Sequence, residues 1–414
     1  MATQSSSVPL HRNRDFLLLW TGQAVSVLGS NISATAYPLL VLGLTGSAAT
    51  VGIVGFAATL PHALFQLPAG ALVDRWDRRR LMLACDLGRI VAVSSVIVAL
   101  AVGQLMIPHL IIVAFVEGAL SVFFGLAEHA AVPHVVPTTQ LTAALAQNEA
   151  RVRGAAFLGQ PLGGVLFGLS RIVPFLADVA SYTVSLLTLL LIRSQFNADR
   201  TSERQHLVSE IREGISWLWR QPFLRTCALL VAGSNFMFQA LVLTLIVLAQ
   251  ARGASPAVIG LMLGGFGAGG VLGAVVAPWL QPRLAPRFVV VGANWVWAAL
   301  TPLIALAPNP SVIAVIAGGM AFVGPLWNVV IGAFELHLTP DVLRGRVMSV
   351  GSLLAFGAIP LGSLVAGFLI EAIGPVASIL VLAGWMGLIA VAATLSRSVR
   401  QAPSLDAGVF PVEA

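Results

Sequence analysis

About a dozen long apolar runs, each near or above the ~20 residues that a helix needs to cross a bilayer, take up most of the chain. They fall at residues 16–42, 46–73, 81–103, 108–131, 145–169, 172–194, 224–250, 256–280, 287–307, 311–336, 346–371 and 374–396, separated by Gly, Pro, Asn or arginine clusters. Of the 414 residues 57% are hydrophobic and 10% charged, against about 25% charged in soluble domains. A soluble globular protein is thereby excluded, and no stretch has the ordinary composition that a soluble catalytic domain requires. The expected fold is all-α and integral to the membrane, with twelve transmembrane helices. The first ten residues are polar and lack a positive n-region, and the first run contains Gln23, Ser26, Ser30 and Asn31. That pattern reads as a retained helix, not a signal peptide.

All 23 basic residues are arginine, and the formal net charge is +6. Their placement points to membrane topology and not to nucleic acid. Loops on the side of the N-terminus carry Arg12, Arg14, the Arg75–Arg80 cluster, Arg151, Arg153, Arg193 and the arginines of the long connection at 194–224. The opposite loops carry only Arg171 and Arg252. Since positive residues stay in the cytoplasm, both termini are expected there, in the inner (plasma) membrane. The long connection contains Ile211, Ile215, Leu218 and Trp219 at the spacing of an amphipathic helix. The expected organisation is a cytoplasmic segment 1–15, a six-helix half 16–194, a linker 195–223, a second half 224–396 and a tail 397–414. Cys85 and Cys227 make no disulfide framework, and His129 and His134 make no metal-ligand spacing, so neither cofactor nor metal is expected.

The halves repeat. Pro161-Leu162-Gly163-Gly164-Val165, followed by Gly168, returns 199 residues later as Pro360-Leu361-Gly362-Ser363-Leu364, followed by Gly367. Gly70 to Leu81 has a weaker echo in Gly273 to Leu284, with Trp76 over Trp279 and Arg80 over Arg283. Six helices separate the copies, so the halves are parallel pseudo-repeats about an axis along the membrane normal.

Gly70-Ala71-Leu72-Val73-Asp74-Arg75-Trp76-Asp77-Arg78-Arg79-Arg80, between the second and third runs, resembles the loop signature of the major facilitator superfamily, with Asp77 where many members have glycine. Leu338 to Val347 before the eleventh run resembles the branch of enterobactin-type siderophore exporters and macrolide efflux proteins. Arg14-Asp15-Phe16 with Leu19-Trp20, Ala177 to Tyr182, and Glu213-Gly214 through Trp217 and Trp219 to Pro222 agree with that branch, so the resemblance spans most of residues 10–400. It implies the major facilitator fold and alternating access. It also implies a latch of Asp74, Arg75, Arg78 and Arg79 that biases two conformations, with Asp74 meeting the start of helix eleven near Arg346. Gly159-Gln160-Pro161-Leu162-Gly163-Gly164 resembles the antiporter signature with proline one place late.

Small residues at every fourth position allow close helix approach. Gly159, Gly163 and Gly164 on the fifth run, and Gly265, Gly269 and Gly273 on the eighth, are expected to form a tight contact between the halves on the side away from the arginines. Ionisable residues inside a span usually face a cavity or a partner. Glu117, about 13 Å from the end of its helix at 1.5 Å per residue, has no cation near it along that helix and is the first candidate for proton coupling. Asp178 and then Asp86 follow, with Asp178 favoured as an outer gate or cap and Asp86 as a structural partner of Arg89 at i, i+3. Glu128 and His129 read as a solvated pair. No arginine is counted as central to a span.

In the family fold the substrate cavity is formed by helices 1, 4, 7 and 10, which makes Gln23, Asn31, Tyr37, Asn235, Gln239, Trp327 and Asn328 its candidates. An apolar cavity with few polar groups suits bulky amphipathic molecules. No Gly-x-Ser-x-Gly, His-Glu-x-x-His or Walker lysine is present, so no enzyme is expected. The expected function is a monomeric secondary transporter that exchanges protons for a drug, macrolide or siderophore-like molecule exported across the lipid bilayer. A symporter or facilitative carrier importing a small molecule is the alternative.

Overall fold

The computed structural model describes residues 9–73, 75–194, 196, 207–340 and 343–401, without the side chains of 71, 207–211, 282, 336 and 344. The expectations placed on Asp74, on most of the linker before Leu207, on the Ile211 side chain and on most of the tail lie outside these residues. The helices are α1 (Arg14–Thr45), α2 (Ala48–Val73), α3 (Arg78–Ala101), α4 (Ile107–Val135), α5 (Leu141–Leu169), α6 (Val173–Leu191), α7 (Leu207–Arg220), α8 (Pro222–Ala251), α9 (Pro256–Leu280), α10 (Pro286–Leu306), α11 (Pro310–Leu338), α12 (Arg344–Leu395) and the short α13 (Arg397–Arg400). Among the described residues there is no strand.

Among the described residues ten helices are long and apolar enough to cross a membrane. Two features relate this number to the twelve runs of the sequence. Inside α12, Gly374 has φ 77° and ψ 165°, a left-handed break before Pro375 that divides the helix into two crossings. Helix α5 is not among the ten, because its first half carries Gln147, Asn148, Glu149, Arg151 and Arg153. The protein is an all-α, multi-pass membrane protein.

Helix ends follow local chemistry. The Asp77 carboxylate accepts from the Arg80 amide at 2.9 Å and caps α3, and Asn309 accepts from the Val312 amide at 3.0 Å and caps α11. Proline occupies the first turn of α4, α6, α8, α10 and α11, where its missing N–H costs nothing. Gly46, Gly103, Gly253 and Gly374 are the positive-φ residues among those described, and each lies where one crossing gives way to the next.

The chain forms two compact units. One comprises Met1–Thr45, Ala57–Arg204 and Ser255–Gly260; the other comprises Gly46–Phe56, Gln205–Ala254 and Leu261–Ala414. In the first, α1 packs on α5 and α6, and α3 packs on α4 and α6. Its arginine-rich end is closed by buried Phe16, Leu19, Met82, Cys85, Phe124 and Leu189. In the second, α8 and α10 pack on α12, and α10 packs on α11. Helix α7 also rests on α12, burying Gly214 and Leu218 while Ile215 and Trp219 stay exposed.

Candidate functional site

Four helices of the first unit converge on a polar network. Glu117 of α4 accepts from the Tyr37 hydroxyl of α1 at 3.0 Å on one carboxylate oxygen, and from the Tyr182 hydroxyl of α6 at 2.9 Å on the other. Ser30 of α1 lies 2.9 Å from the Tyr182 oxygen. Asp178, one turn before Tyr182, is fully buried and close enough for its carboxyl to interact with that of Glu117. Gly29 makes room for it, since a Cβ there would stand 2.9 Å from Asp178 Oδ1 and 2.6 Å from Ser181 Cβ. This is why α1 carries a glycine at the point where it crosses α6.

Toward the arginine-rich end the network continues around Asp86 of α3, which is also fully buried. Ser185 of α6 donates to Asp86 at 2.6 Å and accepts from the Gln23 amide of α1 at 2.9 Å. Arg89 approaches Asp86 at 3.6 Å. Its guanidinium also lies over the rings of Phe124 at 4.8 Å and Tyr182 at 5.3 Å, where the ring quadrupole favours a cation. Three acids, one arginine and two tyrosines therefore share one region, in which Asp86, Arg89, Asp178 and Tyr182 are buried and Glu117 and Tyr37 half-buried. In a low-dielectric interior each unpaired charge in such a group is costly.

The structure thus brings together Glu117, Asp178 and Asp86, with two of the cavity candidates, Gln23 and Tyr37. Tyr182 and Arg89 are the members that reading along single helices missed. Arg89 stands eleven residues beyond Arg78, about 16 Å along a 24-residue helix, so a span does contain a central arginine. Its i, i+3 spacing from Asp86 hid its other neighbours, which come from α4 and α6. The solvated reading of Glu128 is also corrected. Glu128 and Arg151 of α5 are both buried and paired at 2.7 Å, because α5 covers that face of α4.

The remaining cavity candidates are spread out. Asn31 donates to the Val27 carbonyl of its own helix at 2.8 Å. In the second unit Asn235 donates to the Ala355 carbonyl at 2.8 Å and Gln239 to Ser363 Oγ at 2.9 Å, which ties α8 to α12. Trp327 is 3% exposed and packs on Trp297 at 5.8 Å, whereas Asn328 is exposed.

Of the latch residues, Arg75 is exposed at the end of α2. Arg78 donates to the carbonyls of Ala130 and Phe196, each at 3.1 Å, and Arg79 to those of Leu189 at 3.1 Å and Leu190 at 2.8 Å. Both cations therefore meet carbonyls near the C-terminal ends of α4 and α6, where the helix dipole favours positive charge. Arg346, at the start of α12, forms an ion pair with Glu213 of α7.

The two glycine sets do not meet as one contact. Gly159 and Gly163 press α5 on α1, where a Cβ at Gly163 would stand 2.6 Å from the Ile32 carbonyl oxygen. Gly265, Gly269 and Gly273 press α9 on α11, against Ala314, Gly318 and Phe322. Each stripe serves the neighbour that its own face meets. Gly164 alone reaches across to α9, where its Cβ would lie 2.8 Å from Gly260 Cα; Gly52 of α2 makes the same approach to Gly367 of α12, at 2.9 Å.

Comparison with known proteins is consistent along the whole chain. Residues 4–409 match the model of a family described as transmembrane secretion effectors. The multidrug efflux pump Tap of Mycobacterium tuberculosis is 29% identical over 413 residues, covering 96% of this chain and 97% of that one. Its counterpart in Mycolicibacterium fortuitum is 28% identical over 93% and 96%. Macrolide efflux protein A of Streptococcus pyogenes is 27% identical over 54% of this chain and 55% of its own. Among solved structures, a single-site mutant of the nucleoside transporter NupG aligns with a TM-score of 0.76 at 12% identity, over 92% of this chain and 99% of that one. A bacterial homologue of the human lysosomal transporter Spinster aligns at 0.70 with 14% identity, over 94% and 97%. These two likenesses carry the fold, and the family match carries more: the chain belongs to the transmembrane secretion effectors, and is a major facilitator transporter and not an enzyme.

Proposed function

We propose that this transporter is a proton-coupled exporter of bulky amphipathic small molecules of drug or macrolide type. The observation that carries the coupling is the cluster of half-buried Glu117 with buried Asp178 and Asp86 around a single arginine. The relatives named as multidrug and macrolide efflux pumps support the outward direction and the substrate class. No nucleotide-binding signature is present in the sequence, so the driving energy is an ion gradient or the substrate's own gradient, and the acid cluster favours the first. The protein works as a monomer by alternating access, with both termini in the cytoplasm. Asp74, Arg75, Arg78 and Arg79 bias the two states at the cytoplasmic end.

The deciding experiment is transport into everted membrane vesicles with and without a proton uncoupler, using ethidium and a macrolide as probes. Accumulation that collapses with the uncoupler is the expected result. Accumulation that persists would remove proton coupling, and entry only down the probe's own gradient would favour a facilitative carrier.

A further inference from the structure

Resting on the proton-coupled reading, the buried network divides into two stations along the membrane. Glu117 and Asp178 form one, with Tyr37 and Tyr182 as hydrogen-bonding neighbours. Asp86, Ser185 and Gln23 form the other, nearer the arginine-rich end. Arg89 and Tyr182 lie between them: the guanidinium stands 3.6 Å from Asp86 and over the Tyr182 ring, whose hydroxyl is bonded to Glu117.

Two observations show that Arg89 is not locked to Asp86. The pair is separated by 3.6 Å, and both Asp86 Oδ1 and Arg89 Nε are buried without a hydrogen bond. A buried ion pair repays its desolvation only through close, well-directed contact; Glu128 and Arg151 close to 2.7 Å, whereas Asp86 and Arg89 do not. The charges also do not balance as drawn. The other polar groups facing the network are Cys85, the two tyrosines and the already paired Glu128 and Arg151. With one guanidinium among three carboxyls, the network is neutral only when two of the three carry protons.

We propose that Arg89 is a moving counter-ion for a proton relay between the stations. With both outer carboxyls protonated, Arg89 pairs with Asp86. When one outer O–H bond breaks and its proton passes by way of water to Asp86, forming an O–H there, Arg89 turns to the carboxylate left behind. The network stays neutral in both arrangements, so the proton crosses the middle of the unit without leaving an unpaired buried charge. Asp86 then releases the proton toward the arginine-rich side. Arg89 is a positioning residue in this scheme, and Asp86 is a proton carrier and not a structural partner.

Infrared spectroscopy of the purified protein in lipid reads the carbonyl band of protonated carboxyls directly. At neutral pH, Glu117→Gln and Asp178→Asn each weaken the band, and so does Asp86→Asn, because Arg89 then turns to an outer carboxyl, which gives up its proton. Arg89→Gln adds intensity that Asp86→Asn, introduced into the same chain, removes again; Arg89→Lys adds none. A band unmoved by Asp86→Asn, or one unmoved by Arg89→Gln, would overturn the proposal. In everted vesicles Asp86→Asn loses proton-driven ethidium accumulation and keeps ethidium equilibration. The double variant Arg89→Gln/Asp86→Asn, which buries no lone charge, behaves the same way and guards against misfolding of the single variant. Wild-type pumping by Asp86→Asn would sink the relay alone, whereas wild-type pumping that ignores the uncoupler would sink proton coupling itself.

Discussion

Glu128 of α4 holds Arg151 of α5 at 2.7 Å, with both side chains more than nine-tenths buried. Removing one partner of such a pair leaves the other charged and unpaired, which costs about 3–5 kcal/mol. Glu128→Gln should therefore lower the Tm of the purified transporter sharply. The double change Glu128→Met/Arg151→Met should recover most of the loss. An unchanged Tm in the single variant would mean that water reaches Arg151.

Gly164 and Gly260 approach so closely that a side chain on either would meet backbone. Overpacking typically costs ~1–3 kcal/mol or moves the backbone. Gly164→Leu should insert normally and fail to export. Gly168→Ala, with nothing within 4 Å, should export as the wild type does. Equal export by both variants would show that the contact is dispensable.

For Glu117, the hydroxyls of Tyr37 and Tyr182 can bond to a neutral amide as well as to a carboxyl. Glu117→Gln should keep binding and probe exchange while losing accumulation against a gradient. Retained accumulation in everted vesicles would move the coupling site to Asp178 or Asp86.

The latch predicts that Asp74→Asn and Arg75→Ala impair export with insertion intact, because each unbalances an equilibrium between states and not the fold. Full export by correctly inserted variants would reduce the motif to a topology signal.

Reporter fusions within 194–224 and after Arg400 should be active only with a cytoplasmic reporter. Activity of an exported reporter at either place would invert the topology.

The crossings were legible in the sequence because a run of some twenty apolar residues has few other uses, and the glycine and proline punctuation marked most of the turns. The individual acids were legible for the same reason: a carboxyl inside such a run is costly and conspicuous. Their company was not. Arg89 belongs to Asp86 along α3 but to Phe124 and Tyr182 in space, and nothing in the order of residues connects α3 with α6. Glu128 was misread for the same reason, since its cation lies on the next helix. The glycine stripes lie against neighbouring helices, yet a stripe does not name the helix it faces.

The break at Gly374 joins two crossings with no polar loop between them. During synthesis, no hydrophilic stretch at that point marks where one crossing ends and the next begins. The single backbone angle at Gly374 therefore does the work of a whole loop, and a residue that cannot adopt φ 77° there would disturb the joint between the last two crossings before it disturbed either crossing.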